Sequence, residues 1–426
     1  MAVSTPKTYR NQVMYSVFVR NHTQEGTFQA LRGDLPRIRA LGVDIIWLLP
    51  IHPIGRKARK GTLGSPYAIQ DYRAVNPEYG TVQDLEDLVA DIHALGMKCI
   101  IDVVYNHTAP DSVLASDHPD WFYRKPDGSF GNHVGDWTDI IDLDYQNRAL
   151  WDYQIETLQQ WAKIVDGFRC DVAPLVPMEF WAKARAAVEQ VRPGCIWLSE
   201  SIEPGFITYL RSQNLVAHTD REVFDVFDIA YDYDIFGIFR AALEGKCLLS
   251  DYAAAVNGQE TQYQDNYVKL RYLENHDQDR AAAIIADDRL LRNWTAFCYF
   301  QKGMTLIYGG QEVAQPHRPD LFDQDMICWD TGRNLSDLMA KLAQIKKDPI
   351  VTDSRYSVTA LPGDVLLAVH ETAEQKLVGI FCVGDPVAQV QIPLPDGCYQ
   401  ELISGESVTV AGGILHTLGA PMILKS

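Results

Sequence analysis

The stretch TVQDLEDLVADIHALGMKCIIDVVYNH, residues 81–107, changes its period part-way along. Its first half places Leu85, Leu88, Val89 and Ile92 at three- and four-residue spacing and reaches Gly96 where a helix should stop. Its second half contains KCIIDVVY (98–105), a short apolar run rich in β-branched residues, as in a strand buried on both faces. A helix running into such a strand is one unit of a parallel sheet covered by helices.

On either side of this unit the same texture recurs, in MYSVFVR (14–20), DIIWLLP (44–50), GFRCDVA (167–173), CIWLSE (195–200), EVFDVFDIA (222–230), KLRYLENH (269–276) and MTLIYGG (304–310). Helical spacing returns between them, as in FQALRGDLPRIRALG (28–42). With the run at 98–105 these make eight strands, the number that closes a barrel, and no glycine-rich dinucleotide fingerprint follows the first of them. The sequence therefore predicts an α/β fold, a (β/α)₈ TIM barrel, over residues 1–107 and 145–347. The third strand is followed by a long link rich in Asp, Gly, His and aromatics, so residues 108–144 read as an inserted subdomain. Beyond Lys347 the texture becomes short strands separated by turn residues, and 348–426 reads as a small antiparallel β-sandwich domain.

Composition narrows the functional class. The chain has 426 residues, 47% of them hydrophobic, enough for a substantial core. Its formal charge of −18, with no basic run, argues against nucleic acid or an anionic membrane as partner. The amino terminus lacks signal-peptide texture and no apolar stretch reaches bilayer-spanning length, so a soluble cytoplasmic protein is expected. Eight scattered cysteines with no CxxC spacing read as reduced residues, several in the core.

In such barrels the carboxyl ends of the strands face the active site. Here those ends carry Asp102, Asn106 and His107 on the third strand, Arg169 and Asp171 on the fourth, Glu200 on the fifth, and Glu274 to Asp277 on the seventh. A lone acid at a strand end is more often a helix cap or a solvated loop residue, but four strands sharing the habit point to a site. Arg169 and Asp171, two apart, share one face of their strand.

The segments DVVYNH (102–107), GFRCD (167–171), IWLSE (196–200) and ENHD (274–277) resemble, in order and spacing, the four signature segments of the α-amylase family of glycoside hydrolases. SPYAIQDY (65–72) and MTLIYGGQE (304–312) resemble its accessory segments, and the likeness spans roughly residues 10–345. It implies Asp171 as nucleophile, Glu200 as general acid/base and Asp277 as the carboxylate that stabilises the transition state. It further implies that His107 and His276 donate to sugar hydroxyls and that Tyr67 is the stacking platform, with Asp102 behind them, hydrogen-bonded within the site. Arg169 beside Asp171 should favour its ionised form, and the apolar run before Glu200 should keep that acid protonated. Carboxyls on adjacent strand ends can approach to about 5–5.5 Å, the separation of retaining glycosidases.

The resemblance also implies a Ca²⁺ site with Asn106 as a ligand and Asp142 contributing from the end of the long loop, oxygen ligands of the kind calcium takes. Pro174 and Leu175 depart from the Lys-His that many amylases carry after the nucleophile. The expected substrate is an α-glucan or maltooligosaccharide. A transglycosylase would use the same intermediate, and the aromatics Trp121, Phe122, Tyr123 and Trp137 of the insert either cover its acceptor side or form a small core of their own. A non-catalytic binding subunit would have no reason to keep three carboxylates, Arg169 and both histidines. A metal-dependent barrel hydrolase using Asp102, His107, His276 and Asp277 would usually show HxH on the first strand, which MYSVFVR lacks.

Overall fold

Eight parallel strands close on one another in the computed structural model, which describes residues 4–134 and 137–426. Residues 1–3 of the expected barrel segment and 135–136 of the expected insert lie outside the described residues. The strands are β1 (Val13–Val17), β2 (Ile45–Leu48), β3 (Lys98–Val103), β4 (Gly167–Cys170), β5 (Ile196–Ser199), β6 (Ile229–Tyr231), β7 (Lys269–Arg271) and β8 (Met304–Tyr308). Each pairs with its sequence neighbours, and β8 pairs with β1 to close the ring. Buried on both faces, they need near-continuous apolar sequence, which is why the runs were legible. Two registers shape the mouth of the barrel: Asp102 of β3 lies beside Arg169 of β4, and Arg169 lies beside Leu198 of β5. Gly167 lets β4 come close to β5, since a Cβ there would sit 2.4 Å from the carbonyl oxygen of Ile196.

Several expected strands are shorter than their runs, KLRYLENH ending at Arg271 and MYSVFVR at Val17 before the helix Val19–His22, and two elements change more. EVFDVFDIA is not one strand: Thr219 and Glu222 form a capping box that starts the short helix Asp220–Val223, and the strand begins only at Ile229. FQALRGDLPRIRALG forms two helices, Phe28–Arg32 and Leu35–Ala40, because Gly33 and Asp34 precede Pro36, whose ring sits in a first helical turn and cannot lie inside a longer helix. The helix Val82–Ala94 forms as its spacing indicates, started by a capping box between Thr81 and Asp84.

The insert is anchored at its base by an antiparallel pair, His107–Thr108 with Ile141–Asp142. After the barrel, Arg355–Leu361, Val365–Glu371, Lys376–Cys382 and Met422–Lys425 form one antiparallel sheet. A second joins Gln389–Gln391, Gly397–Gln400, Ser407–Ala411 and Ile414–His416. Val365, Val378 and Leu424 of the first share a buried core with Val390, Val410 and Leu415 of the second. The fully buried Asn293 ties this unit to the barrel, accepting from Cys382 N (2.8 Å) and donating to Gly419 O (2.9 Å). Among the described residues no helix is long and apolar enough to cross a membrane.

Candidate active site

One guanidinium organises the carboxyl ends of β3, β4 and β5. Arg169, fully buried, donates from Nη1 to Asp102 Oδ1 (2.9 Å) and Asp171 Oδ1 (2.8 Å). Its Nη2 lies 2.9 Å from Glu200 Oε2, a charge contact without hydrogen-bonding geometry. Trp47, Tyr67 and Tyr231 surround the guanidinium at 5.2–5.6 Å from their ring centres. The register of the sheet dictates this arrangement: Arg169 and Asp171 share a face, and the same face of the neighbouring strand presents Asp102.

Asp171 and Glu200 follow directly on the last residues of β4 and β5. Between them lies Val172, held in the left-handed region at φ 35° and ψ 41°, a strained conformation for a β-branched residue. The Val172 N–H donates to Glu200 Oε2, 2.8 Å away. This hydrogen bond fixes the carboxyl that follows β5 against the backbone that follows β4.

The structure differs from the simple expectation that Arg169 serves Asp171 while a drier pocket guards Glu200. Both acids are equally buried, with 6% and 7% exposure, and Arg169 touches both. Burial raises the pKa of Glu200, of Asp171 and of Asp102, with Arg169 opposing each. One cation faces three buried carboxylates, with Asp277 lining the same cavity. Asp171 and Asp102 take hydrogen bonds from the guanidinium, whereas Glu200 takes its hydrogen bond from the Val172 N–H.

The remaining expected residues converge on the same cavity, of about 400 Å³, which Tyr67, His107, Asp171, Glu200, His276 and Asp277 all line. Tyr67 donates to Asp102 Oδ2 (3.0 Å), and its oxygen lies 2.7 Å from His276 Nε2. The two rings are parallel to within 9°, with their centres 5.4 Å apart. Desolvation lowers both imidazoles to about 4, leaving His107 and His276 neutral at pH 7. Asn106 Nδ2 donates to His107 Nδ1 (3.2 Å), which places the His107 proton on Nε2, the atom left to donate.

Of the insert's aromatics, Trp137 alone lines this cavity, 5.5 Å from His107. Trp121 and Phe122 are buried against His118 and Phe130, and Tyr123 packs on His133. Lys60, Asp139, Val172, Tyr233, Leu321 and Phe322 also line the cavity without having been singled out from the sequence. Lys60 and Phe322 lie in loops with no periodicity, and only the fold brings them together.

Asn106 and Asp142 line a second cavity of about 270 Å³, beneath the insert. Asp142 Oδ1 is buried with no hydrogen-bond partner, as a cation ligand would be, but Oδ2 accepts from the backbone N–H of His133 (2.7 Å) and pairs with its Nδ1 (2.7 Å). Leu175, Pro177 and Leu210 form part of the opposite wall. Calcium takes six to eight oxygens, and among the described residues no three acidic, histidine or cysteine side chains gather to hold a metal. These two side chains do not by themselves make a calcium cage.

Residues 12–359 match the model of the α-amylase catalytic domain, and residues 357–424 match the bacterial α-amylase C-terminal domain. The chain belongs to the α-amylase family. A crystal structure of an α-amylase from Lactobacillus plantarum superposes with a TM-score of 0.97 at 44% identity, covering 99% of this chain and 100% of that one. A noncanonic maltogenic α-amylase from Thermotoga neapolitana superposes with a TM-score of 0.85 at 31% identity, covering 98% of this chain and 99% of that one. The α-1,4-glucan:maltose-1-phosphate maltosyltransferase of Myxococcus xanthus is 33% identical over 45% of this chain, which spans 32% of that relative's length.

Within this α-amylase-family site the fork of Arg169 cannot be copied by a point charge. Arg169→Lys should strand at least one buried carboxylate, destabilise the fold by about 3–5 kcal/mol and lower kcat/KM by at least about 100-fold. Calorimetry with steady-state assays checks this; a variant with unaltered melting temperature would show that the bridging is dispensable.

Proposed function

We propose that this chain is a retaining glycosidase that hydrolyses α-glucosidic bonds of soluble maltooligosaccharides through a covalent glycosyl-enzyme. The observation that carries the reading is that Asp171 and Glu200, from adjacent strands, contact one guanidinium in the cavity that also holds the neutral histidines, Tyr67 and Asp277. Carboxyls that follow directly on adjacent, paired strands suit the short separation used by retaining glycosidases, which favours this mechanism over inversion.

Asp171 Oδ attacks the anomeric carbon, the bond to the leaving oxygen breaks, and the proton of Glu200 passes to that oxygen. Glu200, now a carboxylate, takes a proton from water, whose oxygen attacks the same carbon and releases Asp171. His107 Nε2–H and Asp277 bind sugar hydroxyls, while Asp102 holds Arg169 and Tyr67 in place. The eight cysteines, all unpaired, support action in a reducing compartment such as the cytoplasm. The partial likeness to a maltosyltransferase supports a second reading, in which a sugar hydroxyl replaces the water.

Proton NMR of the first-formed products tests the mechanism. The newly released anomeric centre should appear as α; first-formed β product would overturn it. Added maltose should leave product lengths unchanged for a hydrolase and yield elongated chains for a transferase.

A further inference from the structure

We infer that the cavity is closed on the donor side, so that this enzyme works inward from non-reducing chain ends; the inference rests on the glycosidase reading. Glu200 gives its proton to the leaving sugar, so the leaving portion of the chain lies toward β5. The glycosyl fragment retained on Asp171 lies on the other side, toward β1 and its neighbours, because β1 stands opposite β5 in an eight-stranded ring.

That half of the rim is stitched shut by the loops that follow β2, β3 and β8. Lys60 Nζ, from the loop after β2, lies 2.9 Å from Asp139 Oδ1 of the insert and 5.8 Å above the ring of Phe322, from the loop after β8. The backbone continues the seam: Leu63 N and Gly64 N both donate to Phe322 O (3.0 and 2.9 Å), and Thr62 N donates to Asp323 Oδ1 (2.7 Å). Gly61, at φ +63°, lets the loops meet, since a Cβ there would come within 2.6 Å of Phe322 Cβ. Beneath the seam, the buried Arg20 donates from Nη1 to both Gly64 O (3.1 Å) and Leu321 O (3.3 Å).

Lys60, Asp139 and Phe322 line the same 400 Å³ cavity as Tyr67 and Asp171, so the wall stands only a short glycosyl fragment away from the nucleophile. It is also chemically suited to a chain end. An ammonium and a buried carboxylate offer donors and acceptors to terminal hydroxyls, and the aromatic ring of Phe322 backs them. A chain that continued beyond that point would have to displace the ion pair. Lys60, Asp139 and Phe322 are thus assigned as specificity-determining residues that limit the donor fragment to glucose or maltose.

The test compares p-nitrophenyl α-maltoheptaoside with the same compound carrying a 4,6-O-benzylidene block on its non-reducing glucose, by chromatography of initial products. The unblocked substrate should release glucose or maltose from its non-reducing end, and the block should slow cleavage at least about ten-fold. Equal rates on both, with internal products, would overturn the inference and leave the glycosidase reading standing. No cleavage of either substrate would overturn that reading instead. The double change Lys60→Met with Asp139→Leu removes both charges together, so that no buried carboxylate is stranded. In that variant the blocked-to-unblocked rate ratio should rise toward one, whereas an unaltered ratio in an active variant would show that this latch is not the wall. Should the variant be inactive, the wild-type comparison still decides.

Discussion

Asp171→Asn should lower kcat on maltooligosaccharides by about 10⁴- to 10⁶-fold, the scale of losing a covalent nucleophile, while the fold stands. The amide keeps the shape and can still accept from Arg169 Nη1, while Nη1 keeps Asp102 and Nη2 keeps its contact with Glu200. Stability should respond in a direction that follows from proton linkage. Burial holds the folded pKa of Asp171 above its unfolded value. Between those values the native state binds more protons than the unfolded state, so this carboxyl costs stability as pH rises through the window. Removing its charge should therefore leave the melting temperature at neutral pH equal to or above that of the wild type, with little difference in acid. Loss of turnover together with a lower melting temperature would show instead that the ionised carboxylate is a structural partner of Arg169.

Glu200→Gln should separate proton donation from nucleophilic attack. On maltooligosaccharides, whose leaving oxygen needs a proton, the loss should be about 10²- to 10⁴-fold. On α-maltosyl fluoride, whose leaving group needs none, formation of the glycosyl-enzyme should be far less impaired. The pH profile carries the sign. Donation requires the protonated acid, so wild-type activity is highest below the raised pKa of Glu200 and falls as pH climbs through it. In the variant that alkaline limb should disappear. A limb that persists would assign the titration to another group, with Asp102 the nearest candidate since its pKa is also raised by burial.

Much of the fold was legible in sequence, for physical reasons that differ by element. A strand buried on both faces must be apolar, and the helix between two such strands must carry a stripe and a stop, so the barrel announced itself in runs such as KCIIDVVY after DLVADIHALG. Polar residues at the ends of those strands had no reason to be there unless the barrel mouth used them, which singled out Asp102, Arg169, Asp171 and Glu200. The boundaries that failed did so where a local signal overrode the pattern. A capping box between Thr219 and Glu222, the first residue of EVFDVFDIA, starts a helix that runs into that segment, and Gly33 with Pro36 splits the helix at 28–42.

The sharing of one guanidinium was hidden for a different reason. Strand periodicity places Arg169 on the face of Asp171, but only the register with β5 brings Nη2 to Glu200, and register across neighbouring barrel strands is not written in either strand alone. The donor-side wall was hidden more deeply. Thr62 and Asp323 meet across 261 residues of chain, and loops without period offer nothing to match in advance. The rule that a long loop is functional located the insert but did not say which of its aromatics would face the site; Trp137 does, while Trp121 and Phe122 serve the core.

Covalent bonding of Asp171 to the sugar, with Glu200 supplying the proton, is the step on which the proposed chemistry stands. Intact-protein mass spectrometry of Glu200→Gln incubated with α-maltosyl fluoride, followed by peptide mapping, observes that bond itself. The expected result is a maltosyl adduct on the peptide containing GFRCD, located on Asp171. An adduct mapped to any other residue, or rapid turnover with no adduct and inversion at the anomeric centre, would contradict it.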